Sequence, residues 1–122
     1  ASACKQVLLA GFSNGASFAA KLYCKGETFG GRLAAIVLDD PVTDAGTQSC
    51  KPARPLPITL YWTGALEGDA KPGWECKRGD WTCEGGKTVG IAAYAASLGA
   101  TVKPSPQRQH VPHQQAPEFN AF

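Results

Sequence analysis

Strand-like runs lie at positions 5–10, 33–38, 58–62 and 100–103; Val7-Leu8-Leu9-Ala10 in the first and all of Leu33-Ala34-Ala35-Ile36-Val37-Leu38 are continuously apolar. Runs that are apolar on both faces are the pattern of strands buried inside a parallel sheet. Between them lie two helix-like stretches. In residues 14–24, Phe18, Leu22 and Ala19 suggest one apolar stripe, with Lys21 and Lys25 outside it and Gly26 as a stop. Residues 88–98 are Ala-rich and end at Gly99, the position where a left-handed cap commonly closes a helix. Asp39-Asp40-Pro41 ends the second run, residues 43–57 form a polar, Pro-containing loop, residues 65–86 form a long insertion, and residues 117–122 open a last helix. The order β-α-β, loop, β-α-β predicts an α/β fold: a three-layer αβα unit on a parallel sheet, with four strands in chain order. The run holding Val7, Leu8 and Leu9 then lies at one edge, an apolar template for pairing.

A length of 122 residues sets a single domain spanning residues 1–122. Hydrophobic content of 43% with 18% charged residues excludes a disordered chain. A net charge of +2 with scattered Lys and Arg gives no basis for nucleic-acid binding. No apolar run approaches the ~20 residues that span a bilayer, so no membrane partner is expected. The chain has no Met and starts at Ala1 without a signal-like segment, and it reads as a processed chain or a piece of a longer one.

Five cysteines without a C-x-x-C pair point to an oxidising, extracellular compartment rather than to zinc. Cys76 and Cys83 suit a disulfide closing a short loop within the insertion. Cys24, at a helix end, and Cys50, before a strand, suit a second. Cys4 is left over, and with the edge at residues 7–9 it points to a companion segment or chain.

Gly11-Phe12-Ser13-Asn14-Gly15 follows the first apolar run directly and precedes the first helix. Strand, G-x-S-x-G, helix is the context of a nucleophile elbow, where a sharp turn presents a serine at the rim of a sheet. The first turn of the helix aims backbone N–H groups at charge developing on a substrate oxygen. The plain alternative is a serine that caps the helix. An elbow serine needs a base and an orienting acid, which follow it in the order Ser, Asp/Glu, His. The two histidines, His110 and His113, both lie beyond the fourth run, and His110 is the expected base, with His113 as the alternative. Glu67 and Asp69 both sit just after the third run, where the acid belongs. Asp39 and Asp40 read as strand-end residues, though some hydrolases move their acid to that place.

The segment around Gly-Phe-Ser-Asn-Gly resembles the elbow of the polyhydroxybutyrate depolymerase and feruloyl/acetylxylan esterase group of α/β-hydrolases. Cys50-Lys51-Pro52, Arg54-Pro55-Leu56-Pro57 and the run into Gly64 are similar to that group's approach to its acid loop. Residues 88–99 and the loop of His110 fall where the group has its penultimate helix and its histidine. The resemblance implies a secreted serine esterase acting on polyhydroxyalkanoate or plant cell-wall esters, without cofactor or metal. Ser13 would be the nucleophile, Asn14 an oxyanion donor and His110 the base. The group's acid lies three residues after a glycine, which from Gly64 gives Glu67, with Asp69 as rival. Strands that precede the elbow in the group would lie before Ala1, so the resemblance implies a partial domain.

A different class of function rests on Arg78-Gly79-Asp80 between Cys76 and Cys83. A disulfide loop with this tripeptide is similar to adhesion loops, and with Trp74 and Trp81 it suggests a binding chain on a hydrolase-derived scaffold. His110-Val111-Pro112-His113 lacks a third metal ligand. Gly85-Gly86-Lys87-Thr88 is no phosphate loop, because Trp81 stands where the first glycine belongs.

Overall fold

The computed structural model describes residues 5–64, 88–105, 110 and 118. Strands β1 (Val7–Phe12), β2 (Leu33–Asp39), β3 (Ile58–Trp62) and β4 (Thr101–Pro104) form one sheet in the order β1-β2-β3-β4, every neighbour parallel. Helix α1 (Asn14–Cys24) joins β1 to β2, a 3₁₀ turn (Ala45–Ser49) lies between β2 and β3, and helix α2 (Ile91–Leu98) precedes β4. This is an α/β architecture with the strands in chain order, as the hydrophobic runs predict. Register aligns Leu9 with Ile36 and Ile36 with Ile58. One face of the sheet is therefore apolar across three strands.

Some boundaries move, for local reasons. The helix expected from residue 88 starts at Ile91. Thr88 instead bridges Asp44, the Val89 N–H donates to the Thr43 carbonyl at 2.8 Å, and the Thr43 hydroxyl donates to the Val89 carbonyl at 2.6 Å. Those bonds hold residues 88–89 extended. The other end agrees with expectation: Gly99 is left-handed at φ 68°, and the Ala100 N–H donates to the Ala95 carbonyl.

Both described helices lie on the same face. Ala16, Ala19, Ala20 and Tyr23 of α1 and Tyr94, Ala95 and Leu98 of α2 share one core with Leu33, Ile36, Leu38, Ile58 and Leu60. Topology dictates this. A sheet that grows one strand at a time in one direction through right-handed crossovers places every crossover on one side. The expected third layer is thus not formed by these crossovers; among the described residues there are two layers. The opposite face carries a smaller cluster of Val37 and Tyr61 with Leu8 and Ala10. Glu118 reaches it, accepting a 3.0 Å hydrogen bond from the Tyr61 hydroxyl.

The buried stripe of α1 differs from expectation. It consists of Ala16, Ser17, Ala19, Ala20 and Tyr23, while Phe18 points away and is 59% exposed. The helix starts so close to β1 that only small side chains fit beneath it. Lys21, expected on the outer side, pairs with the fully buried Asp44 at 2.7 Å. At the far end, Cys24 and Cys50 form a disulfide, and the Lys51 N–H donates to the Cys24 carbonyl at 3.1 Å. This bond is consistent with an oxidising, extracellular setting. The expected Cys76–Cys83 pair and Cys4 lie outside the described residues. No helix among the described residues is long and apolar enough to cross a membrane.

Candidate active site

Parallel strands deliver their carboxyl ends to one rim of a sheet, and ligand-binding residues of α/β folds collect there. Here the rim carries Ser13 after β1, Asp40 after β2 and Thr63 after β3. Ser13 has φ 55° and ψ −117°, a left-handed conformation that costs a non-glycine residue about 1–3 kcal/mol. Two bonds hold it there. Its N–H donates to the Asp39 carbonyl at 2.9 Å, and its carbonyl accepts from the Ser17 N–H at 3.2 Å. The Ser13 side chain makes no capping bond to α1 and is partly exposed, so the plain capping role is not the one it plays. Asn14 is the first residue of α1, where a backbone N–H has no partner within the helix.

The turn depends on one of the motif's two glycines. A Cβ on Gly11 would meet the Gly15 carbonyl oxygen at 2.3 Å and the Ala16 nitrogen at 2.7 Å, whereas one on Gly15 would meet nothing within 4 Å.

The neighbouring strand end carries the second strained residue. Asp40 has φ 49°, although the residue before a proline ordinarily adopts extended backbone. Its N–H donates to the Tyr61 carbonyl at 2.8 Å, anchoring the turn to β3. The side chain is fully buried. Asp40 Oδ2 lies 2.6 Å from His110 Nδ1 and accepts from the Thr63 hydroxyl at 2.7 Å; Oδ1 accepts from the Thr63 N–H at 3.0 Å. A carboxylate acceptor requires a proton on Nδ1, which leaves Nε2 of the neutral ring as the basic nitrogen. The imidazole also stacks on Phe12, with ring centroids 4.9 Å apart and planes 23° from parallel. Phe12 immediately precedes Ser13, so His110 is held directly beside the elbow.

The residues singled out as acid candidates, Glu67 and Asp69, lie outside the described residues, as do His113 and the Arg78-Gly79-Asp80 loop. The carboxylate that engages His110 is Asp40, which sequence reasoning treated as a strand-end residue. Its signal was an Asp pair closing a wholly apolar strand one step from the elbow's own strand.

A buried polar group supports the rim from below. The Ser17 hydroxyl donates to the Val42 carbonyl, tying the first turn of α1 to the segment just after Asp40. Asp44 lies beyond, accepting from the Gly46 N–H at 2.8 Å as well as pairing with Lys21. Burial pushes the Tyr94 phenol far above its ordinary range; the Asp44 charge adds to this, and the Ser17 hydroxyl opposes it. Burial also raises the Tyr61 phenol, helped by its bond to Glu118 and by the charges of Glu118 and Asp39. Among the described residues no group of three or more His, Cys, Asp or Glu side chains is gathered to hold a metal ion.

Compared with protein-family models, curated proteins and solved structures, the chain matches none of them.

Proposed function

We propose that this chain carries the site of a serine hydrolase for carboxylic esters, with Ser13 as nucleophile, His110 as base and Asp40 as orienting acid, on an α/β-hydrolase scaffold. The observation that carries the reading is the Asp40–His110 pair, stacked on the residue next to a strained and uncapped serine. Ser13 and Asp40 both hold positive φ at adjacent strand ends, as a site kept in a fixed geometry would require; the third such residue, Phe29, lies in the connection between α1 and β2.

The chemistry follows from the atoms. Ser13 Oγ attacks the ester carbonyl carbon while His110 Nε2 takes the hydroxyl proton. Asp40, bound to Nδ1–H, fixes the tautomer and balances the imidazolium. The oxyanion of the tetrahedral intermediate lies at the start of α1, where the Asn14 N–H donates to it. Collapse expels the alcohol, protonated by His110, and leaves an acyl-Ser13 ester. A water deprotonated by His110 then releases the acid and restores Ser13. No redox group takes part in any step.

Polyhydroxyalkanoate and plant cell-wall esters are the substrates that the resemblance of the elbow segment suggests, in an extracellular setting that the Cys24–Cys50 bond favours. The test is labelling with a fluorophosphonate and turnover of p-nitrophenyl acetate. The reading requires label on Ser13 and a loss of at least ~100-fold in Ser13→Ala. Equal turnover by the two proteins, or a probe that ignores Ser13, overturns it.

A further inference from the structure

Thr63 is the first residue after β3, and it gives both its donors to one carboxylate. The backbone N–H reaches Asp40 Oδ1 at 3.0 Å and the hydroxyl reaches Oδ2 at 2.7 Å. Oδ2 is also the oxygen that binds His110 Nδ1, at 2.6 Å. We propose that Thr63 is a positioning residue of this site: its two-point grip fixes the plane of the Asp40 carboxylate, and through it the direction of the His110 ring. The proposal rests on the serine-hydrolase reading for its kinetic consequence, though not for its structural one.

The grip answers a mechanical problem. Asp40 sits on a strained turn, and its carboxylate can rotate about the Cα–Cβ and Cβ–Cγ bonds. A bond from His110 alone sets a distance and leaves the plane free. Thr63 adds one contact on each oxygen, which determines the plane. Its backbone donor belongs to the end of β3, and the same strand holds the Asp40 backbone through the Tyr61 carbonyl. The two strand ends therefore move as one piece. A β-branched side chain suits the task, because threonine has few χ1 wells and its hydroxyl loses little freedom on bonding. Among the described residues, the ionisable groups on the surrounding elements are Asp39 on β2, Tyr61 on β3, Lys103 on β4, Glu118 against Tyr61, and His110 itself. Of these, His110 shares Oδ2 with the Thr63 hydroxyl.

Thr63→Val keeps the shape and the backbone donor and removes the hydroxyl; Thr63→Ser restores the hydroxyl. For a residue acting through Asp40, kcat for p-nitrophenyl acetate falls about tenfold in Thr63→Val with KM unchanged, and returns to within about threefold of wild type in Thr63→Ser. In an Asp40→Asn background the Val substitution costs nothing further, because the group it acts through is already gone. A readout independent of turnover is the far-downfield proton resonance of the His110–Asp40 bond, which weakens or moves in Thr63→Val and recovers in Thr63→Ser. Unchanged kcat and an unchanged resonance in Thr63→Val overturn the proposal, as does an equal loss in the wild-type and Asp40→Asn backgrounds. If the resonance responds while wild-type turnover proves independent of Ser13, the Thr63 grip stands and the hydrolase reading falls.

Discussion

The Gly15 carbonyl oxygen lies only 2.3 Å from the position a Cβ on Gly11 would take. The first turn of α1 thus packs directly on the strand that feeds it, and the two glycines of the motif have unequal work. Gly11→Ala forces backbone against backbone, with an expected cost of about 3 kcal/mol. Gly15→Ala enters open space and gains about 0.5 kcal/mol from helix propensity. Urea unfolding of the two variants should move the midpoint in opposite directions.

Asp40→Asn preserves shape and removes the charge that selects the Nδ1–H tautomer of His110. Turnover of p-nitrophenyl acetate should fall by roughly 10³–10⁴-fold, the scale seen when a triad acid loses its charge. Glu67→Gln and Asp69→Asn should stay within about threefold of wild type. A drop under tenfold in Asp40→Asn, with a large one in either of the others, would return the acid's role to the loop after β3.

Lys21 is the charged partner of a carboxylate that has no exposure of its own. Lys21→Met leaves the Asp44 charge buried and should cost about 3 kcal/mol, measured by denaturant unfolding. Adding Asp44→Asn should recover part of that loss, since the uncompensated charge is then gone.

The Tyr94 phenol is raised in the folded state mainly by burial, while an unfolded chain ionises near the ordinary value of about 10. Above that pH the unfolded state releases a proton that the folded state keeps. The contribution of Tyr94 is therefore fully present below about pH 10 and is lost as pH rises further, by up to about 1.4 kcal/mol per pH unit. Thermal melts between pH 9 and 11 (about one unit either side of that value) should show a shallower decline for Tyr94→Phe than for wild type.

Local signals were legible and relational ones were not. The continuously apolar run of β2 marks an interior strand because such a strand is buried on both faces. Strand β4 is exposed along its length and was marked only by following Gly99, which ends α2 because few residues accept its backbone. Cys24 and Cys50 were readable as a pair from a helix end and a strand approach. The engagement of Asp40 with His110 was signalled only by the Asp pair that closes β2. It depends on a left-handed turn before Pro41, where extended backbone is the rule, and on donors from Tyr61 and Thr63 on another strand. Phe18 misled for a similar reason: periodicity counts apolar residues, but the space under α1 is set by its close approach to β1 and admits alanines. The expectation of three layers overlooked that four strands in chain order send their crossovers to one side.

Strand order also sets the order in which the molecule can assemble. Each described strand pairs with its neighbour in the chain, through connections shorter than the separation of Asp40 and His110. The Asp40–His110 contact is of another kind, spanning seventy residues and reaching back across two finished strands. Closing a loop of that length costs more entropy than any of the strand pairings. In refolding, backbone structure should therefore return first and the imidazole contact last, an order that far-UV circular dichroism followed beside a probe of the His110 environment would read.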